Sequence, residues 1–321
     1  MKVLTVIPGD GRSVQMVFAR RQADSLEHAG VEVLRFFLGS GTSPAGLASD
    51  MRRYRAALAS FDPAVVHGHY GAISGFFCTH GTSRPVVVTF HGSDLNPCPS
   101  INRLRIAMGH TLSHMAARRA RRIICVSNEL LARLRWGRER ATVIPMGVDV
   151  RRFAPRPRRE ARALLGWTHD DPVLLFNASL GPKLKRLDLA QAAYAFASAR
   201  RPDLRLVVMR GDVEPNTVPL HMAAADVLLF TSDYEGSPMV IKEALACGLP
   251  IVSVDVGDVR ERLMGVEPSR LVVRDPAAIG AAVVELLSDG RRSDGPTVAV
   301  RDFSEERVAE RVLEVLQLAA R

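Results

Sequence analysis

Lysine is almost missing from this chain: of 43 basic residues only Lys2, Lys183, Lys185 and Lys242 are lysine. In a chain that writes nearly every cation as arginine, a retained lysine points to a need for a compact point charge. Cysteine is scarce too. Cys78, Cys98, Cys125 and Cys247 lie far apart without C-x-x-C spacing, which argues against a disulfide scaffold or zinc ribbon and for a reducing, cytoplasmic compartment. No apolar run approaches the roughly 18 residues of a membrane-spanning helix. The opening Met1–Gly9 offers about six apolar positions before a turn, too few for the apolar core of a secretory leader. Aromatic residues make up only 6%. That is thin for base-stacking platforms, and with no helix-turn-helix or RRM signature present, nucleic acid is not an expected partner.

What is present suits a globular chain: 47% hydrophobic and 24% charged residues over 321 positions, enough for two cored domains. Short β-branched runs alternate with amphipathic stretches. Strands are expected at 2–7, 31–36, 63–67, 86–90, 122–126 and 141–144, then at 173–177, 204–209, 226–230, 249–254 and 270–273. Helices are expected between them, as at 14–29, 100–119, 185–200, 237–247 and 276–288. Continuous apolar strands separated by helices indicate parallel sheets covered on both faces. The segment 151–172, with Pro155, Pro157 and a run of arginines, reads as a linker. The fold class is therefore α/β, two doubly wound Rossmann-like domains facing across a cleft, 1–150 and 151–321, with a last helix at 304–320. In such sheets ligands bind beyond the carboxyl ends of the strands.

The charge is lopsided. Residues 1–150 hold 19 basic and 10 acidic side chains, whereas 151–321 hold 24 of each, so the whole net charge of +9 lies in the first half. Such a field attracts polyanions, an acidic membrane or a phosphorylated substrate.

Three loops deserve a chemical reading. Pro8-Gly9-Asp10-Gly11-Arg12-Ser13 follows the first strand; Gly9 and Gly11 would let backbone N–H groups and Arg12 approach an anion. Val14 stands where a dinucleotide fingerprint needs its third glycine, and no Walker lysine is present. A phosphate or acceptor loop and an ordinary tight turn both fit. His67 and His69, then His91, fall at expected strand ends, where a histidine can meet a polar ligand or move a proton. His110 and His114 at i, i+4 lack the glutamate of a metalloprotease helix and read as structural. The third loop is the richest, Asp233-Tyr234-Glu235-Gly236-Ser237-Pro238-Met239-Val240-Ile241-Lys242-Glu243. Ser237-Pro238 marks a helix start with proline at the first helical position, and Glu243 falls two turns within. Loop N–H groups there suit a phosphate, and the two carboxylates can grip hydroxyl pairs, a combination that matches a nucleotide sugar. Alternatively, Glu235 only complements the helix dipole and Glu243 faces solvent.

Glu235 and Glu243 are spaced as E-x7-E, and the stretch resembles the retaining glycosyltransferases of family 4, group 1, with the GT-B fold. Ile144-Pro145-Met146-Gly147-Val148-Asp149 with Phe153 and Pro155, Cys125-Val126-Ser127, Thr89-Phe90-His91-Gly92-Ser93-Asp94 and Val254-Asp255-Val256-Gly257-Asp258-Val259 extend the likeness over most of 60–275, in family order. It looks closest to the branch that builds bacterial surface polysaccharides. The resemblance implies an acceptor-binding first domain, a donor-binding second domain, and a terminal helix that packs back on the first. It implies that His91 and Glu235 are the catalytic residues, with Glu235 on sugar hydroxyls and Glu243 on the ribose. Gly236, Ser237, Pro238, Met239 and Val240 would meet the diphosphate and sugar, and Lys185 the phosphate. The implied reaction retains anomeric configuration and uses no metal or other cofactor, a UDP-sugar being a more natural co-substrate than a GDP-sugar. Because the half that would bind the acceptor carries the whole +9, the acceptor is expected to be anionic or lipid-linked, with the enzyme at the inner face of the plasma membrane; a soluble acceptor beside a merely solvated basic helix is the alternative. Two departures stand out: Ser179-Leu180-Gly181-Pro182-Lys183 replaces the family's G-R-L loop, leaving either Lys183 to supply the missing cation or a weaker phosphate site, and the stretch after strand 204–209 is short. A nucleotide-sugar epimerase of the same fold and a non-catalytic sugar-nucleotide-binding partner are the competing expectations.

Overall fold

The computed structural model describes residues 1–11, 16–39, 43–97, 102–179, 181 and 183–321. It divides into two compact units, Met1–Gly147 with Glu305–Arg321, and Val148–Ser304. Arg12 lies outside the described residues, as do Val14, Cys98, Leu180 and Pro182.

The first unit runs β1 (Lys2–Pro8), α1 (Val17–His28), β2 (Glu32–Leu38), α2 (Pro44–Phe61), β3 (Val65–His69), α3 (Phe76–Gly81), β4 (Val86–Phe90), α4 (Arg103–Arg119), β5 (Arg122–Cys125), α5 (Asn128–Arg133) and β6 (Ala141–Val143). The second runs α6 (Arg158–Leu164), β7 (Val173–Asn177), α7 (Leu187–Ser198), β8 (Arg205–Met209), α8 (Val218–Ala224), β9 (Val227–Phe230), α9 (Met239–Ala246), β10 (Ile251–Val254), α10 (Val259–Leu263), β11 (Arg270–Val272), α11 (Pro276–Asp289) and α12 (Gly295–Phe303). A last helix, α13 (Glu305–Ala320), returns to the first unit.

Every strand pair is parallel, in the orders β2-β1-β3-β4-β5-β6 and β11-β10-β9-β7-β8. The runs Val3–Ile7, Val86–Phe90, Val173–Phe176 and Val227–Phe230 are buried throughout, as strands covered on both faces must be. Each order reverses once, between β1 and β3 and between β7 and β9. At such a switch point the loops leaving the two strands diverge to opposite faces and open a crevice at the carboxyl edge.

Several expectations change. The final helix buries Val308, Val312, Val315 and Leu316 against α1 and the strands β3, β4 and β5 of the first domain, the side on which the sequence placed it; only the boundaries shift, from 1–150 and 151–321 to a second unit, Val148–Ser304, inserted into the first. The segment 151–172 is no loose linker. It contains α6, whose Ala161 packs on Ala223 and Ala224 of α8, while buried Arg162 donates to Asp226 Oδ2 (2.9 Å) and to the Ala224 carbonyl (3.1 Å). The arginine run thus anchors rather than merely solvates. His67 and His69 lie inside β3 and are fully buried, not beyond its end. Finally, α9 starts at Met239, with Pro238 as its N-cap, so Glu243 is one turn in rather than two.

Candidate active site

In the second unit the candidate site is built on the loops that follow β7 and β9, at the switch point of the sheet. These loops are stitched together: Thr231 Oγ1 donates to the Lys185 carbonyl (2.8 Å), and the Asp233 N–H donates to the Leu184 carbonyl (3.0 Å). Arg186, held in the left-handed region at φ 56°, caps the start of α7 and donates to Asp233 (3.1 Å) and Asp188 (2.9 Å). Arg274 donates to the Thr231 and Ser232 carbonyls from the β11 side. Held in this way, Lys185 extends its Nζ to 2.5 Å from Glu235 Oε1 and 5.4 Å from the centre of the Phe230 ring. Both charged side chains are about five-sixths buried, at 17% and 16% exposure. The structure therefore joins Lys185 to Glu235, but it leaves Lys183 exposed and without an ion pair among the described residues.

Behind Glu235 the loop Gly236-Ser237-Pro238 enters α9, with Gly236, Pro238 and Val240 buried and Ser237, Met239 and Glu243 half-buried. Ser237 does not cap the helix. Its hydroxyl donates instead to Asp258 Oδ2 at 2.6 Å, because that carboxylate is buried at the start of α10 and the stronger acceptor. Lys242, fully buried, donates Nζ to the Ser237 carbonyl (3.3 Å), and Arg262 Nε lies 3.3 Å from the same Asp258. Burial pushes the Lys242 ammonium down to about 8 and pushes the Asp258 carboxyl up, against the pull of Lys242 and Arg262. Gly257 turns at φ 60°, where a Cβ would come within 3.0 Å of the Gly236 carbonyl. Only glycine suits that turn on both counts. Sequence reasoning missed this buried support; the one signal for it was the retained lysine at 242.

In the first unit, Gly9 and Gly11 follow β1 with φ of 103° and 79°. A Cβ on Gly11 would sit 2.9 Å from Phe37 Cζ, so the fold itself requires this glycine. His91 follows β4, and its Nε2 is hydrogen-bonded to His69 Nδ1 at 3.0 Å. The rings of Phe18 and Tyr70 flank it at 4.9 and 4.8 Å. Its backbone N–H and those of Gly92 and Gly71 converge on the buried Asp94 carboxylate. Burial raises that carboxyl, and the three N–H groups oppose the rise.

Two family profiles match in tandem: Glycosyltransferase Family 4 over residues 11–152 and Glycosyl transferases group 1 over residues 171–289. The chain belongs to the group 1, family 4 glycosyltransferases. A D-inositol 3-phosphate glycosyltransferase of Thermobispora bispora is 27% identical over 93% of this chain and 84% of its own length. With further curated relatives, another D-inositol 3-phosphate glycosyltransferase among them, the chain matches about half of their length. Among solved structures, a sucrose-phosphate synthase from Thermosynechococcus elongatus shares the fold at TM-score 0.79, 18% identity and 98% coverage of both chains. Anabaena Alr3699/HepE, solved with UDP, does so at TM-score 0.74 and 17% identity over 99% of this chain and all of that one. The fold is that of the GT-B glycosyltransferases, and with both profiles describing glycosyltransferases, the epimerase expectation loses its ground.

Proposed function

We propose that this glycosyltransferase moves a sugar from a nucleotide-sugar donor to an acceptor hydroxyl with retention of anomeric configuration and without a metal ion. The carrying observation is the Lys185–Glu235 pair beside the N-terminus of α9. A departing nucleoside diphosphate accumulates negative charge, which a fixed ammonium and a positive helix end stabilise. Glu235 holds donor-sugar hydroxyls, Glu243 the ribose, the Gly236–Val240 backbone the diphosphate, and His91 of the first unit faces the donor. As the bond from the sugar carbon to phosphate breaks, the acceptor oxygen bonds that carbon from the same face and passes its proton to the departing phosphate oxygen. The bound UDP of HepE supports a UDP-sugar. On this reading the first unit takes the acceptor and the second the donor.

The acceptor is anionic or lipid-linked, built into a surface polysaccharide or glycoconjugate at the cytoplasmic face of the membrane. Support comes from α4, which exposes Leu104 (77%), Met108 (58%) and Met115 along one face, among the exposed Arg103, Arg105, Arg118, Arg119 and Arg121. Ile106, Leu112 and Arg122 are half-buried and contribute less. No helix among the described residues is long and apolar enough to cross a membrane.

Thermal-shift screening of nucleotide-sugar donors tests the reading, since a ligand that binds only the folded state raises Tm. A UDP-sugar is expected to raise it, and NMR of the product to give the donor's anomeric configuration. An inverted product would refute retention.

A further inference from the structure

His91 has a neighbour whose chemistry decides its own. In β3, His67 and His69 occupy alternate positions and so share one face of the sheet. His69 pairs in register with Thr89, two residues before His91. Two hydrogen bonds result, His67 Nε2 with Thr89 Oγ1 at 2.7 Å and His69 Nδ1 with His91 Nε2 at 3.0 Å. His69 is fully buried, and its other nitrogen, Nε2, has no hydrogen-bond partner among the described residues. Burial, with His67 and His91 adding to it, holds its imidazole well below the usual titration range, hence neutral.

A neutral imidazole carries one N–H. On Nε2 it would be a donor buried without an acceptor, a rare and costly arrangement. On Nδ1 it is satisfied by the lone pair of His91 Nε2. The proton of a neutral His91 then has only Nδ1 to occupy. We propose that His69 is a positioning residue that fixes His91 in the Nδ1–H tautomer, so that His91 offers the donor substrate a hydrogen bond to oxygen and takes no proton from the reaction. The neighbouring rings of Phe18 and Tyr70 fix the imidazole plane in which that N–H points. The inference rests on the reading of His91 as donor-facing, but its central claim, the tautomer, is measurable without turnover.

The test is 15N–1H correlation of the histidine rings in the full chain, assigned with His91→Gln and His69→Asn. The wild type is expected to show His91 with a protonated Nδ1 and a bare Nε2. His69→Phe, which keeps the ring shape and removes the donor, should give a mixture of His91 tautomers and lower kcat about tenfold, the worth of roughly one hydrogen bond. His69→Asn, whose side-chain amide N–H replaces Nδ1–H, should restore both. A protonated Nε2 on His91 in the wild type, or an unchanged tautomer in a folded His69→Phe, overturns the proposal. A tautomer change in His69→Phe with unaltered glycosyl transfer supports the positioning and refutes instead the placement of His91 at the donor.

Discussion

Lys185 Nζ lies 2.5 Å from Glu235 Oε1, so the cation and the carboxylate assigned to phosphate and sugar are each other's partner. On the proposed reading a donor enters between two groups that already neutralise one another, the phosphate drawing the ammonium and the sugar hydroxyls drawing the carboxylate. Acting as a unit, the two should give non-additive losses. Lys185→Ala and Glu235→Ala are each expected to lower kcat about 100-fold or more, with the double variant little worse than the poorer single. Steady-state kinetics on the four proteins checks this; fully additive losses would separate the two roles.

Glu243 stands one turn into α9 and is half-buried. Glu243→Ala should raise the donor KM about tenfold, the worth of one hydrogen bond, with kcat little changed. A drop in kcat at unchanged KM would move Glu243 to the reacting end of the donor.

Charge neutralisation by Lys185 and the end of α9 also bears on metals. Activity is expected to survive EDTA. Loss on chelation, restored by Mg²⁺ or Mn²⁺, would transfer that role to a cation.

The buried Lys242 gives a pH dependence of definite sign. Its ammonium is pushed from 10.5 down to about 8 in the folded state. Between these values the unfolded chain binds the proton and the folded chain does not, so stability rises as pH climbs from 8 toward 10.5 and is flat below 8. The wild type should gain about 2 kcal/mol over Lys242→Met between pH 8 and pH 10, read by urea unfolding at the two values. An unchanged gap would mean that Lys242 stays charged in the core.

The arginines around Leu104 and Met108 predict binding to anionic vesicles that weakens with salt, each residue near the surface contributing about 1 kcal/mol. Sedimentation of the wild type and of a variant with Arg103, Arg105, Arg118 and Arg119 all changed to glutamine measures it. Absence of binding at low salt would favour a soluble acceptor.

All eleven strands were legible: the seven inner ones are short runs that fold almost wholly buried, and the edge strands β2, β6, β8 and β11, though only partly buried, still carry valines between turn signals. The helix α2 was not, for a physical reason: only Asp50 and Tyr54 among its eighteen residues are buried, so it carries almost no apolar stripe. Asp50 is held by Arg53 (2.5 Å) and the Gly39 N–H (3.1 Å), contacts that no periodicity shows. Prolines and arginines disguised α6 as a linker because its anchor, Arg162 on Asp226, joins residues 64 positions apart. At the candidate site, Glu235 and Glu243 were marked by their E-x7-E spacing and Lys185 by the family resemblance. What holds them, Asp258 under Ser237 and Lys242 under the loop, depends on burial that a linear reading does not reveal.

Gly147 and Glu305 meet where the chain leaves the first unit and re-enters it: a Cβ at 147 would sit 2.8 Å from Glu305 Cα, and beside them Val148 pairs with Ser304. The second unit is thus threaded whole between two adjoining points of the first. On the ribosome this inverts the usual order, in which the amino-terminal body matures first. The six strands of the first sheet are all translated by residue 143, yet the helix that covers β3, β4 and β5 emerges only after the entire second unit. Until then the apolar surface awaiting Val308, Val312 and Leu316 stands open to water and to chaperones. The contiguous second unit can close while the first still waits for its last seam.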